Sequence, residues 1–318
     1  MNRVRMPDSD PRHQTLSFLQ RRLSEVGIEP RTRHGQNFLI DLNLVRLLVD
    51  SAQIDPSDVV LEIGTGTGSL TGLLADRAAE VISVELDSRM HQLASEELFG
   101  RTNVTLLLKD ALRNKNHLDP GLLALLAERL AARPGALLKL VANLPYNVAT
   151  PILSNLLDCP TPPATMTVTI QKELAERITA SPGTKDYGAL TIWIQSQCRA
   201  ELVRLMPPSV FWPRPKVTSA ILHIERDDRL RAAIGDLQFM HSFVRGLFIH
   251  RRKFLRSVLI AGHKDALGKA GVDAVLAELG LSGEYRAEQL DVPTILELAR
   301  TVHRHLLAAA GTGEPGGV

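Results

Sequence analysis

The tetrapeptide Asn143-Leu144-Pro145-Tyr146 gathers the parts needed to hold a planar ring that bears an exocyclic amine. An asparagine side chain offers one carbonyl acceptor and two N–H donors. Proline fixes its own backbone and drives the preceding residue towards an extended conformation, so main-chain carbonyls near Leu144 can turn into a cleft. Tyr146 supplies a flat face for stacking. The apolar run 136–142 ahead of the tetrapeptide reads as a buried strand, which places these groups at a strand's C-terminal end.

A second constellation lies upstream, in Glu62-Ile63-Gly64-Thr65-Gly66-Thr67-Gly68-Ser69. Glycines let a backbone turn sharply and approach a ligand closely. Glu85 ends the next strand, about 20 residues further on, where a carboxylate can accept both hydroxyls of a ribose. That much suits a dinucleotide or an adenosyl cofactor. The dinucleotide fingerprint needs a glycine where this chain has Ser69. Glu62 disfavours a pyrophosphate and suits an amine-bearing cation. S-adenosylmethionine carries a sulfonium and an ammonium and no phosphate, so the details favour it. Asp110 can accept the amine of the cofactor's adenine, although alone it could equally cap a helix.

Such groups converge only if a sheet aligns them. Strands are expected at 59–63, 81–85, 104–108, 137–142 and 164–170, with helices at 70–79, 88–98, 122–132 and 172–180. Strand alternating with helix implies a parallel sheet covered on both faces, an α/β fold of Rossmann-like form. A further helix is expected over 187–197, and late strands at 202–205 and 220–224 flank a proline-rich segment, 207–215. Leu16, Leu19, Leu23 and Val26 recur at helical spacing until Gly27 and Pro30, and 42–52 reads as another helix. Beyond Glu225 the β-pattern disappears. The chain from Phe239 reads as helical, with breaks near Gly262, Gly271, Gly280 to Gly283 and Pro293. The expected organisation is a partly disordered extension (1–30), an α/β domain (31–228), a small all-α C-terminal domain (229–310) and a disordered tail (311–318).

The formal charge of +2 over 318 residues is too small to argue for a polyanionic partner, so any basic surface must be local. Cys159 and Cys198 are far apart and form no CxxC, which excludes a disulfide framework or a cysteine zinc site and suits a reducing cytoplasm. No apolar run approaches the ~20 residues that span a bilayer. Residues 1–12 have no apolar core of a secretory signal, and Asp8 and Asp10 interrupt the charge of a transit peptide. A cytoplasmic protein without membrane or metal is expected.

Four more segments complete a pattern: His34-Gly35-Gln36-Asn37-Phe38-Leu39, Gln171 to Arg177, Phe211-Trp212-Pro213-Arg214-Pro215-Lys216-Val217-Thr218-Ser219, and Phe248 to Leu255. With the two constellations above, the chain resembles the small-subunit ribosomal RNA adenine dimethyltransferases of the KsgA/RsmA type. The resemblance runs from about Arg31 to Leu259 and more loosely to the end. It implies a Rossmann-like S-adenosylmethionine-dependent methyltransferase domain with a small all-α C-terminal domain. It also implies transfer of methyl groups to N6 of two adjacent adenines in the 3′-terminal hairpin of 16S rRNA in the 30S particle, a step of small-subunit biogenesis that yields N6,N6-dimethyladenine. By motif, Asn37, Leu39, Gly64, Gly66, Glu85, Asp110 and Asn143 would contact the cofactor. Asn143, Leu144, Pro145 and Tyr146 would hold the adenine, with Phe211 as a second aromatic wall. The chain departs from the family at Ala142, at Thr65 and Thr67, and in a longer 114–136 segment.

The chemistry agrees with that implication. Adenine N6 is a poor nucleophile because its lone pair is delocalised into the ring. If the Asn143 carbonyl and a main-chain carbonyl near Leu144 or Pro145 accept its two hydrogens, the lone pair faces the methyl donor. Positioning of this kind removes up to ~7–11 kcal/mol of barrier, more than a general base supplies at roughly 10²–10⁴-fold, so no dedicated base is expected. Unstacking the base costs a few kcal/mol, and each aromatic contact returns ~1–3 kcal/mol. Arg245, Arg251, Arg252, Lys253 and Arg256 cluster without an acidic residue among them. On one helix, 245, 252 and 256 would share a face for phosphates, although such a run also describes a solvated helix face. Arg214 and Lys216 would add phosphate contacts beside the flipped base, and a monomer is expected. Three alternatives remain at this point: a 23S rRNA adenine methyltransferase of the macrolide-resistance type, a non-catalytic ribosome-assembly factor, and an NAD enzyme.

Overall fold

The computed structural model describes residues 16–25, Gly27 and 37–311. His34-Gly35-Gln36, the helix-ending Pro30, residues 1–15 of the extension expected to be partly disordered and residues 312–318 of the tail expected to be disordered lie outside the described residues, whereas Gly311, assigned to that tail, ends a helix. The strands are β1 Phe38–Leu39, β2 Val59–Ile63, β3 Glu80–Glu85, β4 Val104–Leu108, β5 Leu112–Asn114 and β6 His117–Leu118. They continue with β7 Leu138–Asn143, β8 Thr165–Gln171, β9 Cys198–Met206, β10 Phe211–Trp212 and β11 Ser219–Arg226. Seven of them form one sheet in the order β4-β3-β2-β7-β8-β11-β9. β2 runs parallel to β3 and β7, β3 to β4 and β7 to β8, whereas β11 is antiparallel to β8.

Parallel strands are covered on both faces, which is why Val59–Ile63 is buried at every position, Glu62 included. Helices Ser69–Ala75, Ser88–Glu97, Pro120–Ala131 and Ala149–Asp158 lie between the parallel strands in sequence. Asp87 caps the second and Asp119 the third, where Pro120 opens the first turn without losing a hydrogen bond. The chain winds from β2 outward to β3 and β4, then returns to β7 on the other side of β2. The crevice outside the C-terminal ends of β2 and β7 is therefore the topological switch point, where open α/β sheets bind ligands. Gly64 follows β2 and Asn143 ends β7, so the fold delivers both constellations to that crevice.

The opposite end of the same two strands is locked by a buried ion pair. Lys139 Nζ lies 2.9 Å from Asp58 Oδ2, both side chains are under a tenth exposed, and Lys139 also donates to the Gln53 carbonyl. Asp58 further accepts the N–H of Asp55 (2.8 Å) and Leu137 (3.3 Å), which ties the β2–β7 register at Val60↔Lys139.

The chain divides into two compact units, one reaching to Ala175 and including Glu201–Glu225, the other made of Glu176–Ala200 and the chain from Arg226. The sequence boundary assigns 176–200 to the α/β domain, and the structure moves it. Tyr187 and Trp193 in that segment are large apolar side chains that the helical unit buries. Trp193 stacks on His241 with ring centroids 4.3 Å apart, and Tyr187 donates to the Leu290 carbonyl at 2.9 Å. The helices here include Ala189–Gln195, Asp228–Ala232, Leu237–Ile249, Leu255–His263, Gly268–Glu278 and Val292–Gly311. The expected break near Gly262 is present one residue beyond it, whereas Gly271 lies inside a helix instead of ending one. A glycine costs roughly 1 kcal/mol in a helix interior, too little to stop a helix with one buried face. Pro293 sits in the first turn of the last helix, where its missing N–H costs nothing.

Candidate active site

A cleft of about 1260 Å³ occupies the crevice. Its lining includes all seven residues expected to contact a cofactor: Asn37, Leu39, Gly64, Gly66, Glu85, Asp110 and Asn143. The glycine loop can follow its path only because Gly64, Gly66 and Gly68 have φ of +89°, +58° and +84°, which L side chains rarely adopt. A Cβ on Gly66 would also meet Phe38 Cε1 at 3.2 Å. A Cβ on Gly64 would lie 3.5 Å from Pro145 Cδ, so the glycine loop and the Asn-Leu-Pro-Tyr segment are in near contact.

Glu85 is anchored by the backbone. Its Oε2 accepts the Gly66 N–H at 2.9 Å, and its Oε1 accepts those of Leu86 (2.9 Å) and Asp87 (3.0 Å). Burial pushes its carboxyl above the ordinary range, opposed by these three donors. A carboxylate offers about four lone-pair sites, so one remains, on Oε2, for a ligand hydroxyl. Simultaneous capture of two hydroxyls would require the second to share a site with Gly66. Asp110 lines the cleft and accepts the Leu112 N–H at 2.8 Å through Oδ1. Glu62 is fully buried, and its Oε2 accepts the hydroxyls of Thr71 and Ser83, each at 2.6 Å. Its Oε1 is buried and has no hydrogen-bond partner among the described residues.

The acceptor side is equally specific. Asn143 Nδ2 donates to the Asn37 carbonyl at 2.8 Å, which leaves Oδ1 as the amide's acceptor. Leu144 is buried, and its N–H bonds to the Thr169 carbonyl at 3.2 Å. The Pro145 carbonyl is taken by the Val148 N–H at 3.1 Å. Of the two main-chain acceptors left open by the sequence, the Leu144 carbonyl is therefore the available one. Tyr146 is half-buried, and its hydroxyl lies 2.5 Å from Ser219 Oγ, which pins the ring; burial raises its pKa.

Two expectations need correction. Phe211 is only 2% exposed and packs with Leu39, Val45, Leu48 and Ile221, so it is a core side chain in this structure and not an open wall. Successive side chains in a strand point to opposite faces. Accordingly Trp212, not Phe211, lines the cleft, and it packs against Leu19, Leu23, Met90 and Leu93. The basic cluster is likewise not one helix face, because the helix ends at Ile249 and the next begins at Leu255. Arg251 pairs with Glu288 and donates to the Lys185 and Thr184 carbonyls, and Arg256 forms a bidentate ion pair with Asp273, donating two hydrogen bonds at 2.5 and 2.8 Å. Arg245, Arg252 and Lys253 are exposed, as are Arg214 and Lys216 in the other unit.

The sequence reading missed part of the cleft. Gln20 and Ser24 line it from helix Leu16–Glu25, whose Leu19 and Leu23 are buried against Met90 and Leu93. Their i, i+4 spacing beside an apolar stripe was the available signal. The Glu62–Ser83–Thr71 network had none, because its partners lie on different elements.

A family model for "Ribosomal RNA adenine dimethylase" matches residues 28–298. The chain is 37% identical over 283 residues to "Ribosomal RNA small subunit methyltransferase A" of Geobacillus kaustophilus (strain HTA426), covering 88% of this chain and 93% of that one. It is 39% identical over 283 residues to the protein of that description from Listeria monocytogenes serotype 4a (strain HCC23), covering 87% and 92%. Among solved structures, a dimethyladenosine transferase from Plasmodium falciparum shares the fold with a TM-score of 0.70 at 24% identity, covering 83% of this chain and 97% of that one. The 23S rRNA methyltransferase ErmE gives a TM-score of 0.59 at 27% identity, covering 84% and 100%.

Proposed function

The chain belongs to the ribosomal RNA adenine dimethylase family, and from that premise we propose that it methylates N6 of two adjacent adenines in the 3′-terminal hairpin of 16S rRNA. The methyl donor is S-adenosyl-L-methionine and the product N6,N6-dimethyladenine. The substrate is the 30S particle, in the cytoplasm, with the enzyme acting as a monomer in small-subunit biogenesis. No helix among the described residues is long and apolar enough to cross a membrane.

One observation carries the reading. Donor-side and acceptor-side groups meet at one switch point, with Asn143 held by Asn37 and Pro145 set against Gly64. The remaining acceptors fit an adenosyl cofactor: one site on Glu85 for a ribose hydroxyl, a carboxylate oxygen of Asp110 for an adenine amine, and the buried, partnerless Oε1 of Glu62 for an ammonium. When bound, the cofactor supplies an electrophilic methyl group on a sulfonium. The protein's own work is positioning. Asn143 Oδ1 and the Leu144 carbonyl accept the two N6 hydrogens and turn the nitrogen lone pair towards the donor. Tyr146, fixed by Ser219, carries the ring. Transfer needs no base, because the proton departs to solvent after the nitrogen has become cationic.

Asn143→Ala tests this assignment. Methylation is expected to fall by about 10²-fold or more, the usual cost of one preorganised polar contact at a reacting centre. Full methylation by that variant would remove Asn143 from the acceptor site. Methylation of the large subunit is the second reading, supported by the likeness to ErmE. The small-subunit description of the curated relatives, which span nearly the whole chain, favours the first.

A further inference from the structure

We propose that Glu62 is the proton-linked element of the donor site: it holds a proton while the cleft is empty and surrenders it when the ammonium of the adenosyl cofactor arrives. This rests on the donor-site reading above and adds a change of protonation to it.

The argument begins with orientation. Thr71 donates its one hydroxyl hydrogen to Glu62 Oε2, and so does Ser83. Ser83 has then no hydrogen left, so Thr65, 2.6 Å away, donates to Ser83. Three buried hydroxyls, from the glycine loop, the helix after it and strand β3, are thus aligned in a chain that ends on the carboxyl, an arrangement that suits an anion. Burial outweighs them and pushes the Glu62 pKa up to about 8. Glu85, on the neighbouring strand, acts in the same direction. What the arrangement lacks is a cation at Oε1, the atom without a partner.

The described charged groups around the cleft do not provide one. Lys109 is paired with Asp119, and Arg89 is paired with Asp87 and donates to the Gly27 carbonyl at 3.2 Å. Asp110, Asp87 and Glu85 are themselves acidic. A ligand ammonium supplies both the missing donor and the missing charge, and an opposite charge at close range favours the ionised carboxyl. Binding then releases a proton. Below about pH 8, affinity rises with pH, approaching tenfold per pH unit as long as the bound form stays ionised.

Calorimetric titration of the full chain with S-adenosylhomocysteine tests this at about pH 6.5, where the ligand's α-amino group is still fully charged. Two buffers of different ionisation enthalpy report the protons exchanged. Close to one proton released per ligand is expected. 5′-Methylthioadenosine, which lacks the amine, is expected to bind without release, and Glu62→Gln to bind S-adenosylhomocysteine without release and with an affinity flat between about pH 6 and 7. Binding by the wild type with no proton released, or equal release by Glu62→Gln or with 5′-methylthioadenosine, would overturn the proposal while leaving the donor site intact. Failure of the wild type to bind S-adenosylhomocysteine at all would remove the donor-site reading itself. Should Glu62→Gln not fold, difference infrared spectroscopy on the wild type decides: loss of a protonated carboxyl band on binding is expected, and its persistence overturns the idea.

Discussion

At the scale of single residues, the bond from Asn143 Nδ2 to the Asn37 carbonyl engages the donor end of the amide and leaves Oδ1 as its acceptor. Phe211 makes the complementary point, because its ring is spent on the core. Phe211→Ala should cost about 3–5 kcal/mol of stability, as large-to-small core changes of this kind do. Denaturant unfolding checks it, and an unchanged midpoint with lost methylation would restore the ring to the site. Tyr146→Phe keeps the ring and loses only the Ser219 contact, so its rate should stay within about tenfold, whereas Tyr146→Ala should lose more. Glu62 carries a pH prediction. Its folded-state pKa of about 8 lies above the ordinary 4.5, so the folded protein binds the extra proton between those values. Stability of the ligand-free protein should therefore fall as pH rises from about 4.5 through about 8. Melting curves of Glu62→Gln should show a smaller fall across that window, and parallel curves would contradict the assignment. The types and spacing of Asn143, Glu85 and the glycines made them legible in the sequence. The inward turn of Phe211 was not, because a two-residue strand gives no alternation to read.

At the scale of elements, the donor loop is held open by backbone conformation. Gly66→Ala must place a side chain at φ +58° and 3.2 Å from the Phe38 ring. It should weaken S-adenosylhomocysteine binding by about tenfold or more, since left-handed strain alone costs about 1–2 kcal/mol. Isothermal titration measures this, and wild-type affinity would show that the loop tolerates the change. The parallel strands were legible because burial on both faces writes continuous apolar runs, as in Val59–Ile63. Most helix breaks after Phe239 were legible too: turns follow Gly262 at 264–267, and the chain leaves α-helix across Gly280 to Gly283 until the last helix opens beside Pro293. Gly271 looks like punctuation in sequence, but tertiary burial overrides its weak propensity, and the turn at 250–254 carried no glycine or proline to announce it.

At the scale of the whole molecule, a net charge of +2 leaves RNA recognition to local groups. Arg252 and Lys253 are exposed, whereas Arg251 and Arg256 are committed to Glu288 and Asp273. Replacing Arg252 and Lys253 by alanine should weaken particle binding and lower its salt slope by about 1 for each lost phosphate contact. Arg251→Ala should instead lower the melting temperature, and the reverse pattern would reassign the two pairs. The assignment of 176–200 to the helical unit was illegible because its partners, His241 and Leu290, are remote in sequence. The central claim, dimethylation of small-subunit rRNA, is tested most directly by particles that lack the modification. Isolated 30S and 50S subunits would be incubated with the protein and S-adenosylmethionine, and their rRNA analysed by mass spectrometry. N6,N6-dimethyladenine at two adjacent positions near the 3′ end of 16S rRNA is the expected result; methylation confined to 23S rRNA, or none in either particle, would contradict it.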